Sequence, residues 1–186
     1  MRLFGNRKVA ILITIFIIIL ATLFGVGKSL NRLARDVEDM FYNGIYLERD
    51  GFTQPGINSH LENITQAALD CSSVFASHAE LSKESEGLML ARRDMLEAES
   101  ISEKYAAYEV IAKAFSEFIS KSDAVELSER DLSSVALYAG TFTGAMGAIE
   151  SSSYNARVRS YMDDASFIVF FLKPFLFVNP PQAFGY

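Results

Sequence analysis

The stretch from Val9 to Val26, VAILITIFIIILATLFGV, carries no charge. As a helix it would extend about 27 Å, close to the thickness of a bilayer's hydrocarbon core. Positions 9–27 therefore read as a transmembrane anchor behind a short basic tail, 1–8. A cleaved signal peptide is the competing reading. It is disfavoured because the run exceeds an ordinary apolar signal core and no Ala-x-Ala site precedes Lys28. Arg2, Arg7 and Lys8 lie before the run and Lys28, Arg32 and Arg35 after it, so the positive-inside count is nearly balanced. The short basic tail leading straight into the helix favours a cytoplasmic N-terminus and a domain on the extracytoplasmic side.

The chain has 186 residues, enough for one domain with its own core beyond the anchor. A net charge of −6 without any basic stripe argues against a nucleic-acid partner, because phosphate binding needs clustered Lys and Arg. The single cysteine, Cys71, can form no internal disulfide and reads as a small buried apolar residue.

After the anchor, apolar residues recur at three- and four-residue steps throughout, which predicts an all-α domain over 28–166. Leu30, Leu33, Val37, Met40 and Leu47 continue the membrane helix, and ERDGFTQPG, from Glu48 to Gly56, ends it. Ile57, Leu61, Ile64, Ala68, Cys71, Phe75 and His78 then form one stripe. The polar patch SKESEG, Ser82 to Gly87, interrupts it. The stepping resumes with Leu88, Ala91, Met95, Ala98, Tyr105, Tyr108, Ala112, Phe115 and Ile119 as one segment. A second loop falls near Lys121 to Leu127, and Ser128 with Asp131 resembles a capping box. From Leu132 through Met146 and Ser153 to Ala156 the pattern predicts a further long helix, whose Gly140, Gly144 and Gly147 suggest close approach of a neighbour. Counting the juxtamembrane helix, the simplest closed arrangement is an antiparallel bundle of about four long helices. Leu132 to Ile149 is uncharged, but its Ser, Thr and Gly content makes a second span the weaker reading.

The C-terminal tail, 167–186, is rich in Phe and Pro. Its segment FIVFFLKPFLFV, Phe167 to Val178, is too short and broken to span a membrane. It either folds back as a cap on the bundle or sets Phe170, Phe171, Phe175 and Phe177 into a membrane interface or a partner's groove.

Chemistry has no visible seat. Neither His60 nor His78 has a glutamate three residues before it, and the two histidines and Cys71 are too far apart along one helix to share an ion. Asp163 with Asp164, and Glu97 with Glu99, read as solvated charge. The chain has no Gly-x-Ser-x-Gly elbow, P-loop or Gly-x-Gly-x-x-Gly pattern. No metal, cofactor or catalytic residue is expected.

Tyr154-Asn155-Ala156-Arg157-Val158-Arg159-Ser160-Tyr161, followed by a Phe- and Pro-containing tail through Phe184, resembles the Tyr-Asn-x-x-Val-x-x-Tyr signature of the bacterial LemA family. The tail–anchor–helical-domain layout and the length are similar too, and Ile57 and Leu61 fit the start of that family's second helix. The chain departs from it at Ile64 to Leu69, ITQAAL, and at Gly144 to Gly147, GAMG. The resemblance implies a single-pass bacterial membrane protein of the cell envelope with no established catalytic activity. In that frame Tyr154 and Asn155 serve as a structural clamp between the last helix and the tail, or, with Val158 and Tyr161, as a binding surface. The expected function is a tethered, non-enzymatic scaffold for an envelope protein or for self-association. The alternatives are a membrane-interface or remodelling protein using the Phe-rich tail, and a membrane-bound hydrolase.

Overall fold

The computed structural model describes residues 7–48, 51–76, 78–176 and 178–185; for 166–176 it describes the backbone alone. The described residues are mostly helical. The elements are α1 (Arg7–Asn43), β1 (Ile45–Leu47), β2 (Phe52–Gln54), α2 (Ile57–Val74), a short 3-10 turn (Ala79–Leu81), α3 (Ser82–Glu97), α4 (Ile101–Ser122), α5 (Glu129–Glu150) and α6 (Tyr154–Leu176). The chain divides into two compact units, Met1–Glu38 with Ala156–Pro181, and Asp39–Asn155 with Gln182–Tyr186.

In the first unit α1 runs without interruption from the apolar stretch into polar sequence, as its spacing predicts. The most apolar part of α1 is unburied: Phe24 is 77% exposed and Leu12 67%. Its hydroxyls are satisfied within the helix, Thr14 donating to the Ala10 carbonyl at 3.0 Å and Thr22 to Ile18 at 2.9 Å. Such back-bonding leaves no unpaired donor facing an apolar solvent. The helix is thus long and apolar enough to cross a membrane. Further along, Leu23, Val26, Leu30, Ala34 and Val37 form a stripe on α1. It packs with Tyr161, Ala165 and Val178 into one apolar cluster.

The second unit begins at Asp39, in the last turn of α1. Gly44 adopts φ +89°, a left-handed conformation that ends the helix, and its N–H reaches the Met40 carbonyl at 3.1 Å. The chain then forms a two-stranded antiparallel hairpin with Ile45 opposite Gln54 and Leu47 opposite Phe52. The expectation that Leu47 continues the helix is thereby corrected. The glycine halts α1 before Leu47, and the expected loop supplies β2 instead.

Six of the seven residues in the α2 stripe, Ile57 through Phe75, are buried. His78 leaves the stripe because α2 ends at Val74. SKESEG is not an interruption but the first turns of α3. Helix α2 packs on α3 and α5, and α3 packs on α4. Arg92 crosses from α3 to donate to the Thr65 carbonyl at 3.0 Å, and Phe115 of α4 stacks on Phe142 of α5 at 3.7 Å.

Two expected long segments are each divided. The run from Leu88 to Ile119 breaks at Ala98–Ser100, where Ser100 and Glu103 build a full capping box for α4. The run from Leu132 to Ala156 breaks at Ser151–Ser153 between α5 and α6. At Ser128 the hydroxyl accepts from the Asp131 N–H at 3.2 Å and bonds the Asp131 carboxylate at 2.7 Å, the side-chain half of a capping box. Gly140, Gly144 and Gly147 also depart from expectation. Among the described residues a Cβ at any of the three would meet nothing within 4 Å, so no described helix approaches there.

Candidate functional site

The residues of the Tyr154–Tyr161 signature lie in both units, and each group is described within its own unit. In the second unit, Tyr154 and Asn155 open α6 and meet the chain's last turns. Tyr154, 1% exposed, donates its hydroxyl to the Gln182 carbonyl. The Asn155 amide donates to the Phe184 carbonyl, while its Oδ1 accepts from the Phe184 N–H at 2.9 Å. A side-chain amide has one donor group and one acceptor, and here both engage one residue's backbone. The Gln182 side chain accepts from the Ser102 N–H at the start of α4 at 3.3 Å.

Aromatic rings fill the space behind these bonds. Phe41 lies 5.4 Å from Tyr154 and 5.7 Å from Phe184, and Phe184 meets Tyr105 edge-on at 5.1 Å and Tyr108 at 5.6 Å. Gly56 lets the chain pass against the Phe41 and Tyr42 backbone, where a Cβ would collide with the Phe41 carbonyl. Burial, then the charge of Glu150 and the neighbouring Tyr105, raises the Tyr108 phenol above its ordinary value. The cluster thus has an apolar interior and saturated polar atoms, the chemistry of a fastener.

In the first unit Val158 and Tyr161 are also buried. Tyr161 donates its hydroxyl to the Leu30 carbonyl at 3.3 Å, and Asn31 Oδ1 accepts from the Asn179 N–H at 3.1 Å. The backbone at Phe170, Phe171 and Phe175 belongs to α6, but their side chains, and all of Phe177, lie outside the described residues. Sequence reasoning overlooked Phe41, Tyr105 and Gln182 as members of the Tyr154 cluster.

Among the described residues no group of three or more His, Cys, Asp or Glu side chains is arranged to hold a metal ion. Cys71 is buried, and burial pushes its thiol up to about 11. Between α4 and α5 a shallow groove of about 330 Å³ is lined by Ala112, Phe115, Ile119, Ala139 and Met146. Beyond it α5 exposes Leu132, Leu137 and its three glycines.

No family model, curated protein or solved structure matches the chain.

Proposed function

We propose that the chain is a single-pass membrane protein of the bacterial cell envelope. It presents a non-enzymatic helical domain, on the extracytoplasmic side, to an envelope protein or to another copy of itself. In this reading it is a divergent LemA-like protein, and α2 to α5 form an antiparallel four-helix bundle. The observation that carries the reading is α1: an unburied apolar stretch that continues as unbroken helix into a stripe packed on folded structure. Tethering confines the domain near its partners and raises effective concentration, so weak contacts suffice for occupancy.

The signature residues fit a clamp better than a binding surface, because Tyr154, Val158 and Tyr161 are buried. The surface offered to a partner is sought instead on α5, where Leu137 is 65% exposed and no charge lies between Asp131 and Glu150.

The test is photo-crosslinking in cells, with photoreactive residues at Leu137 and Thr141 of the full chain. Adducts with one defined membrane protein, or with a second copy, support the reading. Adducts with lipid alone, or none at either position, remove it.

A further inference from the structure

We infer that Lys28, Arg32 and Arg35 form a basic stripe on α1 that binds the anionic headgroups of phospholipids in the leaflet where α1 leaves the membrane. The inference rests on the reading of α1 as an anchor and adds to it a preference for lipid charge.

Residues 28, 32 and 35 follow steps of four and three, so they stand above one another on one face of the helix. All three are exposed. Leu30 and Ala34, on the opposite side of the same turns, are buried in the cluster with Tyr161, Ala165 and Val178. Packing thus turns the stripe away from the folded part of the first unit. Among the described residues none of the three is in an ion pair. The chain's first acidic residue is Asp36, and in a protein of net charge −6 the 35 residues before it are the longest stretch without a carboxylate. Asp39 follows on the same face farther from the apolar run, and its carboxylate accepts from the Asn43 amide at 2.7 Å.

The level of the stripe selects its partner. At the helical rise, Lys28 stands about 3 Å past Val26, where the apolar run ends, Arg32 about 9 Å and Arg35 about 13 Å. The headgroup layer beyond the hydrocarbon is about 5–8 Å deep. Side chains on a helix tilt toward its N-terminus, which for α1 is the membrane end, so each charge sits lower than its own Cα. Arg35 shows the effect: its Nε donates to the Asn31 carbonyl at 3.3 Å, one turn nearer the apolar run. That bond draws the guanidinium down toward the level of Arg32 and leaves its terminal nitrogens to donate to phosphate oxygens. Just below the stripe on the same face lies Phe24, 77% exposed, at the edge of the run. The face therefore reads, from the membrane outward, as ring among acyl chains and then three cations among phosphates. A zwitterionic headgroup answers its own phosphate with an ammonium, whereas an anionic one leaves the phosphate charge to the protein.

The chain contains no tryptophan, so Phe24→Trp supplies a single indole beside the stripe, and Ile17→Trp, in a separate protein, one in the middle of the run. Each full chain is placed in phosphatidylcholine vesicles holding the same small fraction of either brominated phosphatidylglycerol or brominated phosphatidylcholine as quencher. Quenching at Phe24→Trp is expected to be roughly twofold or more stronger with brominated phosphatidylglycerol, a difference that shrinks as salt rises. Replacing the stripe as Lys28→Gln, Arg32→Gln and Arg35→Gln together should remove the difference, and Lys28→Arg, Arg32→Lys and Arg35→Lys together should keep it. All three side chains are exposed, and the replacements are good helix formers, so the fold is retained. Equal quenching by the two lipids at Phe24→Trp, or a preference that survives the triple Gln replacement, overturns the inference; with Ile17→Trp still quenched, the anchor stands. An Ile17→Trp that neither lipid quenches overturns the anchor reading itself.

Discussion

Asn155 and Phe184 grip each other backbone to side chain: the amide group of one residue satisfies both the N–H and the carbonyl of the other. Asn155→Ala removes both partners at once. The expected loss is about 1–3 kcal/mol, the usual range for leaving partly buried polar groups unpaired. Asn155→Asp keeps the acceptor for the Phe184 N–H but turns a carboxylate oxygen onto the Phe184 carbonyl, so it too should destabilise relative to the unsubstituted chain. Denaturant midpoints of the full chain in detergent check both.

Phe184→Ala is expected to cost more, about 3–5 kcal/mol, because the ring is buried among Phe41, Tyr105 and Tyr108. Tyr154→Phe should cost only about 1 kcal/mol, since it deletes one hydrogen bond and keeps the packed ring. Thermal unfolding that ranks Tyr154→Phe above Phe184→Ala in damage would contradict the packing account.

Two glycine replacements should move stability in opposite directions. Gly144 sits in the interior of α5 with open space around it, so Gly144→Ala should stabilise by about 1 kcal/mol. Gly44 has φ +89°, and a Cβ there would run into the Gln54 carbonyl. Gly44→Ala should cost at least roughly 1–2 kcal/mol from the backbone alone. Melting temperatures of the two variants, measured side by side, give the comparison.

The Glu103 carboxylate accepts from the Ser100 and Glu99 N–H groups at the head of α4, and these bonds, Ser100 first, hold its pKa below the ordinary 4.5. A carboxylate with a lowered folded pKa contributes stability above its unfolded value and loses that contribution as pH falls through the folded one. Glu103→Gln should therefore flatten the decline in stability on acidification below 4.5. Denaturation curves taken across that range in both proteins would reveal an unchanged slope if the box contributes nothing.

Burial sets the reactivity of Cys71 as well. With its thiol raised from 9.0 to about 11, very little thiolate exists near neutral pH, and the side chain is enclosed. A small thiol reagent at pH 8 should leave it unmodified in the folded chain and modify it fully in denaturant. The raised pKa contributes nothing to pH dependence below 9.0, and stability falls as pH climbs toward 11, because the unfolded chain ionises first.

These sites differ in how plainly the sequence announced them. The stripe from Ile57 to Phe75 was legible because every third or fourth residue along one helix faces one core. The breaks at Ala98–Ser100 and Ser151–Ser153 were hidden because apolar spacing runs straight across them. At the first, the signal was Ser100 three residues before Glu103, a pattern recognised at Ser128 but overlooked inside an apparent helix. The hairpin escaped because strands of three residues are too short for alternation to show. Tyr154 and Asn155 were singled out by their motif, as a clamp or as part of a binding surface. Phe41 and Tyr105 join them from distant parts of the chain, and no local pattern records such a meeting. The glycines of α5 misled in the other direction, since small residues permit a close neighbour without supplying one.

Tyr161 and Leu30 are 131 positions apart in sequence, and Asn31 and Asn179 are 148 apart. Closing loops of that length carries an entropic cost before any contact repays it, so these contacts form late in folding. Until then, in a chain anchored as proposed, the Leu30 and Ala34 face of α1 stands open at the membrane surface. Neighbouring copies are held there in the same plane, each with an α6 that fits the vacant stripe equally well. Exchange of α6 between copies is the characteristic misassembly such a layout invites. Dense insertion into one membrane should therefore favour swapped pairs over singly folded chains.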